Sequence, residues 1–321
     1  MAMQAAASVA ILTWLVRGLD TQALRRILLT LPVGYYVASL GIVLAGQAMY
    51  AWRWWRLLSV ANVQVSLGAA IRYYFIGIFT NNFLPSTIGG DAARVYYLGR
   101  EHGYQRVAAS ILVDRLLGLG SLAVFAAASS WFVPVTDRRF VAFRLIVTLV
   151  AAGACAVIAL AVTGSGGAQR WAAPFGGTAV KLAVTLQRLR LDMARLLRKP
   201  QVFAYSAGVV FAYLVSISIL YVWFIRITGA PAPPVIGVFA ALSMTSVLSV
   251  VPIALNGLGV REQLHAWLFA PLGVPKEIAV AISLLLFIHT LTISVYGMVL
   301  WVMHPAAVRD EAASEAVEPT V

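Results

Sequence analysis

Charged residues and cysteine are both scarce in this chain. Only 11% of its 321 residues are charged, 12 residues are acidic, and Cys155 is the single cysteine. One cysteine excludes an intrachain disulfide and a cysteine-based metal cage. So few charges, together with 61% hydrophobic residues and a mean hydropathy of +0.87, exclude an ordinary soluble domain and indicate an integral membrane protein.

The chain also lacks the short alternating segments of an outer-membrane barrel, because its apolar runs are continuous and rich in Leu, Ala and Val. Runs of about 18 or more such residues can cross a bilayer as helices. The sequence therefore predicts an all-α, polytopic membrane helix bundle. Its eight apolar segments lie at roughly 3–16, 32–51, 67–84, 107–134, 141–163, 201–228, 235–255 and 278–303.

The longest polar stretch, 164–200, is strongly basic, and the positive-inside rule places it in the cytoplasm. Apolar residues at three- and four-residue steps favour an amphipathic helix on the membrane surface in its second half, and a connector that only fixes topology is the alternative. Those residues are Leu182, Leu186, Leu189, Met193 and Leu197. We expect a membrane domain over 1–304, followed by a disordered acidic tail over 305–321.

Two apolar segments run directly into a proline, then a pair of glycines, then charge. Pro85 precedes Arg94 by nine residues, and Pro252 precedes Arg261 by nine. Backbone freed at such a break must be buried in protein or line a wet cavity. Matched breaks in two halves of a chain indicate a substrate site at the interface of two repeats, which are expected to be inverted. The candidate substrate-binding residues are Asn81, Asn82, Pro85, Gly89, Gly90, Asp91 and Arg94 in the first motif, and Asn256, Gly257, Gly259, Arg261 and Glu262 in the second.

A helix that starts after such glycines offers free N–H groups and a positive dipole end to an anion. Arg94 and Arg261 could each bind a phosphate through two N–H groups, while Asp91 and Glu262 orient them or meet a cationic headgroup. The alternative is structural, with Asp91 as a helix cap and the glycines permitting close packing. We favour binding, since packing does not explain charge at both breaks.

Asp114 and Arg115 lie inside an otherwise apolar helix, where ionisable residues are costly and are by default functional or paired. Adjacent residues on a helix point about 100° apart, so we expect each to find its partner on another helix. A structural ion pair and a site lining are equally plausible for them. Arg53 is interpreted as a flanking charge of the second segment, and Trp54 and Tyr74 as part of an interfacial aromatic belt.

The sequence contains no nucleotide loop, no zinc pair and no Ser/His/Asp order, so we predict no catalytic residue, no metal and no cofactor. The motifs do resemble the membrane domain of bacterial lysylphosphatidylglycerol synthases, which also occurs as free-standing proteins. The resemblance spans roughly 5–303 and rests on three motifs in the same order. They are Asn81 to Pro85 with Ile88 to Asp91 and Arg94, then Asp114 to Gly118, then Asn256 to Glu262.

The resemblance implies a flippase. In the synthases this domain moves aminoacylated phosphatidylglycerol across the cytoplasmic membrane, while a separate soluble domain transfers the amino acid. Only a short tail follows His304. We therefore expect the aminoacyltransferase to be absent and the chain to be a transporter rather than an enzyme.

We accordingly expect a multi-pass flippase or scramblase of the bacterial inner (cytoplasmic) membrane that translocates an anionic or aminoacylated phospholipid, or a related polar lipid. The alternative is a membrane enzyme, or an accessory subunit, of lipid glycosylation that uses a polyprenyl phosphate. The net charge of +12 belongs to a chain with little soluble mass, so its expected partners are anionic membrane lipids and not nucleic acid. A homo-oligomer and a partner lipid-modifying enzyme are further alternatives.

Overall fold

The part of the chain that the structure describes is almost entirely α-helical, which confirms the predicted class. The computed structural model describes residues 13, 17–83, 89–164, 177–250 and 257–303. Nearly all of the first apolar segment lies outside these residues, as do Pro85, Asn256 and the tail 305–321. The described helices are α1 (Thr21–Thr30), α2 (Val33–Val60), α3 (Leu67–Phe83), α4 (Gly89–His102), α5 (Tyr104–Trp131), α6 (Arg138–Thr163), α7 (Gly177–Leu197), α8 (Pro200–Ile227), α9 (Val235–Leu248), α10 (Val260–Phe269) and α11 (Lys276–Met303).

Five helices of the described ranges are long and apolar enough to cross a membrane, namely α2, α5, α6, α8 and α11. At 1.5 Å per residue, each exceeds the ~30 Å hydrocarbon core. Leu149 and Leu160 of α6 are exposed, as expected of a helix surface that faces lipid. The shorter helices α3 and α9 each lead into one of the predicted breaks, and α4 and α10 follow them.

Most predicted segments match a helix to within a few residues, but two differ. The predicted end of the second segment, 51, is wrong, because α2 continues to Val60. Arg53, Trp54 and Leu57 are buried against neighbouring helices, so one face of this part of α2 packs inside the protein. The segment predicted over 235–255 is also shorter at its end, since α9 stops at Leu248; residues 251–256 lie outside the described ranges.

The helix boundaries repeat along the chain. α2 and α8 both contain 28 residues, and α8 begins and ends 167 residues after α2, since 200 minus 33 and 227 minus 60 both equal 167. The same offset separates Pro85 from Pro252 and Arg94 from Arg261. The run α2 to α5 therefore corresponds to α8 to α11, with α6 and α7 between the two repeats.

The packing of the helices has the same two-fold pattern. In the first repeat α3 packs on α11 and α4 on α5, whereas in the second α9 packs on α5 and α10 on α11. α2 and α8 pack on each other, and each also contacts both α5 and α11. Exchanging the two repeats leaves this set of contacts unchanged. Each broken helix, α3 with α4 or α9 with α10, thus contacts both repeats. Its first part packs on the last helix of the other repeat, and its second part packs on the last helix of its own repeat.

The second half of the basic stretch forms helix α7, as the amphipathic pattern predicts. α7 packs against α5 and α6. Of the predicted apolar residues, Leu197 is buried and Met193 is half-buried in a cluster with side chains of α2, α5 and α8, whereas Leu186 is exposed. The side chain of Leu182 lies outside the described residues.

Candidate anion-binding cavity

A cavity of about 370 Å³ lies between α2, α3, α4 and α5. α8 and α11 contribute one side chain each, so helices of both repeats enclose it. Its volume falls within the range of small-ligand sites. The lining residues are Gln47, Tyr50, Arg53, Tyr74, Ile78, Asn81, Asn82, Arg94, Asp114, Arg115, Gly118, Leu119, Leu122, Val210 and Thr290.

The position of α4 depends on its close approach to α3. Asn81 Oδ1 accepts the backbone N–H of Gly90 at 2.8 Å, which satisfies one of the free donors of a first helical turn. A side chain at position 90 would overlap the carbonyl oxygen of Gly77. Glycine at this position therefore allows α4 to lie against α3, and Arg94 follows one turn later on the cavity side.

Arg94 is buried between two aromatic rings and one carboxylate. Its Nη2 donates to Asp91 Oδ1 at 2.7 Å, and its guanidinium carbon lies 5.2 Å from the centre of the Trp54 ring and 5.0 Å from that of Tyr74. Only 4% of the residue is exposed. The aromatic faces and the carboxylate compensate part of the cost of burying this cation.

Asp91 joins Arg94 to a second arginine. Arg115 of α5 donates from Nε to Asp91 Oδ2 at 2.9 Å and from Nη2 to Asp91 Oδ1 at 3.0 Å. This is the paired geometry in which a guanidinium binds a carboxylate most strongly. The Arg115 side chain is 45% exposed, so it lies at the mouth of the cavity, whereas Arg94 lies inside.

Asp114, the neighbour of Arg115, pairs with a third arginine on a different helix. Arg53 Nε of α2 donates to Asp114 Oδ1 at 2.8 Å, with the two side chains only 5% and 8% exposed. Gly118 leaves room for this guanidinium, since a side chain there would meet Arg53 Nη2 at 3.0 Å. Asp114 and Arg115 thus do pair with two other helices, as their adjacency predicts.

The charges around the cavity do not cancel. Three guanidinium groups, those of Arg53, Arg94 and Arg115, face two carboxylates, so the described side chains at this site carry one net positive charge. Arg53 Nη1 is buried and has no hydrogen-bond partner among the described residues. A buried charged donor without a partner is costly. Arg53 lines the cavity, so an anion bound there would lie next to this guanidinium.

In the second motif the carboxylate also caps the helix that follows the break. Glu262 is fully buried and caps α10, because its Oε2 accepts the Gly259 backbone N–H at 2.7 Å. Its Oε1 accepts Arg261 Nη2 at 2.9 Å and Ser283 Oγ of α11 at 3.0 Å. Arg261 also lies over the ring of Phe287, at 5.4 Å. Glu262 therefore orients Arg261, as Asp91 orients Arg94.

The described lining of the cavity includes Asn81, Asn82 and Arg94 of the first motif but not Arg261 or Glu262 of the second. Tyr213 of α8 contacts the edge of this site, since its ring centre is 5.3 Å from that of the lining residue Tyr50. Of the other predicted residues, Gly89 begins α4 and Asn82 donates to Ser294 of α11. Gly257 and Gly259 precede α10 with positive φ; Pro85 and Asn256 lie outside the described ranges.

The sequence interpretation missed several residues of this site. Arg53 is not a flanking charge, because it is buried and paired with Asp114. Trp54 and Tyr74 are not belt residues, because their rings pack on Arg94 inside the bundle. The available signal was Asp114, because a carboxylate inside an apolar helix is expected to be functional or to pair with a cation on another helix.

Comparison with known proteins places this architecture among membrane proteins. The family model described as the lysylphosphatidylglycerol synthase TM region matches residues 1–297. A UPF0104 membrane protein of Pyrococcus horikoshii is 22% identical over 262 residues, which cover 74% of this chain and 77% of that protein. A UPF0104 membrane protein of Methanothermobacter thermautotrophicus is 24% identical over 279 residues, which cover 77% of each chain. No solved structure matches the chain.

Proposed function

We propose, since the chain belongs to the family of the lysylphosphatidylglycerol synthase TM region, that it is a flippase or scramblase for a phosphate-bearing lipid of the cytoplasmic membrane. The family membership confirms the resemblance found in the three motifs. The observation that carries the function is the arginine-lined cavity, in which a buried Arg53 N–H has no partner among the described residues.

The cavity chemistry favours a phosphate. Guanidinium groups match phosphate oxygens through paired N–H donors. Arg53, Arg94 and Arg115 all line the cavity, and Arg53 Nη1 has no hydrogen-bond partner among the described residues. The excess positive charge of the site would compensate the negative charge of the phosphate, so no carboxylate would have to be protonated.

The surface of α5 favours a lipid over a soluble anion. Leu112, Arg115 and Leu119 follow one another at three- and four-residue steps, so they share one face of the helix. Leu112 and Leu119 are both exposed on a helix long enough to span the membrane, and Leu119 also lines the cavity. A headgroup could therefore enter beside Arg115 while its acyl chains remain against this apolar face.

The two-fold packing provides a route for transport. Each broken helix contacts both α5 and α11 through its two parts, so a rocking motion of one repeat against the other would exchange their environments. Such motions around a fixed site are how repeat transporters alternate access. The described residues and the sequence offer no nucleotide loop, so we propose that lipid movement is passive or coupled to an ion gradient.

Reconstitution in liposomes tests this function. Vesicles would carry phosphatidylglycerol with a fluorophore on one acyl chain, and an impermeant reductant would report the fraction in the outer leaflet. We expect the protein to accelerate exchange between leaflets, and Arg53→Gln and Arg94→Gln to slow it at least ten-fold. Arg56→Gln is the matched control, because Arg56 lies on the same helix but is exposed.

Four outcomes would overturn the proposal. Lipid exchange no faster than in protein-free vesicles would refute the transport function. Normal exchange rates in both cavity variants would show that the cavity has no part in transport. Uptake of free labelled phosphate without lipid exchange would show that the anion is soluble. Formation of a glycosylated product from a lipid-linked sugar would instead favour the membrane-enzyme alternative.

A further inference from the structure

We propose that a second, smaller pocket binds the phosphate of an anionic lipid from the cytoplasmic leaflet, and that this lipid fastens α7 to the ends of α2 and α5. The site is separate from the arginine-lined cavity, so the inference goes beyond the proposed transport function. The pocket has a volume of about 180 Å³. Its described lining residues are Val60, Ala61, Asn62, Arg106, Ala109, Asp192, Arg195 and Leu196.

The described lining carries one net positive charge, because it contains two arginines and one carboxylate. Both oxygens of Asp192 are engaged, since Oδ1 accepts Arg195 Nη1 at 2.9 Å and Oδ2 accepts Gln105 Nε2 at 2.8 Å. Arg106 is exposed and forms no hydrogen bond or ion pair with another described residue. The side chain of Arg195 is 77% exposed and uses only Nη1. An anion in the pocket would therefore lie next to two guanidinium groups that have donors to offer.

Asn62 adds an amide to the pocket at a position where the backbone favours glycine. Its φ is 59°, and it is the one non-glycine residue with positive φ in the described ranges. α2 ends here in a Schellman motif, in which Val63 N donates to Leu58 O and Asn62 N donates to Ser59 O. Asparagine tolerates this conformation less readily than glycine does. Its side chain, however, supplies amide N–H groups that match phosphate oxygens.

The pocket lies at the level of the lipid headgroups on the cytoplasmic side. Val60 ends α2, and Arg106 lies in the first turn of α5. Both helices are long enough to span the membrane, and α7 belongs to the basic stretch that the positive-inside rule assigns to the cytoplasm. An anionic headgroup of the inner leaflet therefore lies at the right depth to reach the two arginines.

The apolar face of α7 favours a lipid over a soluble anion. Leu186, Met193 and Leu197 share this face, because seven and eleven residues are close to two and three full turns. Met193 and Leu197 pack on the bundle, whereas Leu186 is 54% exposed. The apolar face thus continues beyond the described bundle, as expected of a helix that rests on a membrane surface.

The pocket and the arginine-lined cavity lie on opposite sides of α5. Arg106 and Arg115 are nine residues apart, which is two and a half turns, so their side chains project in opposite directions. No described residue lines both spaces. A lipid at Arg106 would therefore hold α7 in place and would not be the transported molecule.

Native mass spectrometry of the full-length protein tests this site. The protein would be purified in a neutral detergent and titrated with short-chain phosphatidylglycerol or phosphatidylcholine. We expect Arg106→Gln/Arg195→Gln to bind one phosphatidylglycerol fewer than the parent, with or without a lipid in the arginine-lined cavity. Arg56→Gln/Arg188→Gln is the matched control, because it removes two exposed arginines of α2 and α7 that do not line the pocket. It should bind as many molecules as the parent.

Three results would overturn the inference. The first is an equal number of bound phosphatidylglycerol molecules in the pocket variant and the parent. The second is binding of phosphatidylcholine at this site as tightly as phosphatidylglycerol, and the third is displacement of the lipid by an equal concentration of inorganic phosphate. None of these measurements depends on lipid exchange, so the site and the transport function can fail independently.

Hydrogen exchange provides a second test, because it reports whether the lipid fastens α7. Phosphatidylglycerol should slow amide exchange in the last turns of α7 at least five-fold in the parent and in Arg56→Gln/Arg188→Gln, but not in Arg106→Gln/Arg195→Gln. Exchange in the parent that does not respond to phosphatidylglycerol would overturn the fastening role.

Discussion

The buried pair Arg53 and Asp114 yields a quantitative prediction, because each side chain depends on the other. The pair is joined by a 2.8 Å bond, and both side chains are more than nine-tenths buried. Removing one partner of such a pair leaves an uncompensated buried charge and costs about 3–5 kcal/mol, whereas replacing both by apolar groups of similar volume is often neutral or stabilising. Arg53→Met and Asp114→Leu should therefore each lower the free energy of unfolding by about 3–5 kcal/mol.

The double variant Arg53→Met/Asp114→Leu should be far more stable than the sum of the single effects implies. Met retains the apolar stem of Arg53 next to Gly118, and Leu fills the position of the carboxylate. The free energy of unfolding of the double variant should therefore lie within about 1 kcal/mol of that of the parent. The resulting coupling energy, several kcal/mol, is well above the error expected for independent sites. The measurement is unfolding by SDS titration in mixed micelles, followed by the loss of helical circular dichroism.

Arg56→Met is the control, since this arginine lies three residues away on α2 and is exposed. It should change stability by less than about 0.5 kcal/mol. The reasoning is refuted if Arg53→Met unfolds at the parent midpoint, or if the double variant loses as much as both single variants together. The double variant should nevertheless lose lipid exchange, because it lacks the guanidinium that we assign to phosphate.

Three further predictions concern other parts of the site. Gly90→Ala should destabilise the protein by about 1–3 kcal/mol, because its methyl group would overlap Gly77 O, whereas Gly68→Ala, with open space around it, should not; equal midpoints in the SDS titration would contradict this. Glu262→Ala should destabilise more than Glu262→Gln, since Gln keeps one amide oxygen that can accept the Gly259 N–H and Ala keeps none, and the reverse order would show that charge alone matters. Asp91→Asn removes the carboxylate that neutralises Arg94 and Arg115, so calorimetry should find short-chain phosphatidylglycerol bound about ten-fold tighter, or 1.4 kcal/mol; weaker binding would mean that Asp91 mainly positions the arginines.

Much of the architecture could be predicted from composition and spacing. Long apolar runs indicate membrane helices because lipid leaves no other partner for the backbone, and the described helices follow those runs closely. The nine-residue spacing from proline to arginine in both halves pointed to a repeat, and α2 and α8 recur at the same 167-residue offset, since 200 minus 33 is 167. The adjacency of Asp114 and Arg115 also predicted partners on two other helices.

The partner of Asp114 could not be predicted in the same way. Arg53 follows an apolar run, and a hydropathy average interprets an arginine in that position as the end of a span. The bond between Arg53 and Asp114 connects residues 61 positions apart, so no local pattern encodes it. The same holds for Trp54, whose burial depends on side chains of α3, α4 and α5 that are distant in sequence.

The two repeats share the packing of their helices but differ in the charged residues at the site. At the 167-residue offset, Trp54 corresponds to Tyr221 and Leu98 to His265. Trp54 and Leu98 pack in one cluster, and the rings of Tyr221 and His265 stack at 5.7 Å, so an equivalent contact joins the corresponding helices in each half.

Arg53, however, corresponds to Leu220, so the second repeat has no cation at that position. Its motif arginine, Arg261, is bound to the carboxylate that caps its own helix. The excess positive charge at the site therefore comes from the first repeat, because Arg53, Asp114 and Arg115 correspond to Leu220, Ala281 and Ile282 in the second.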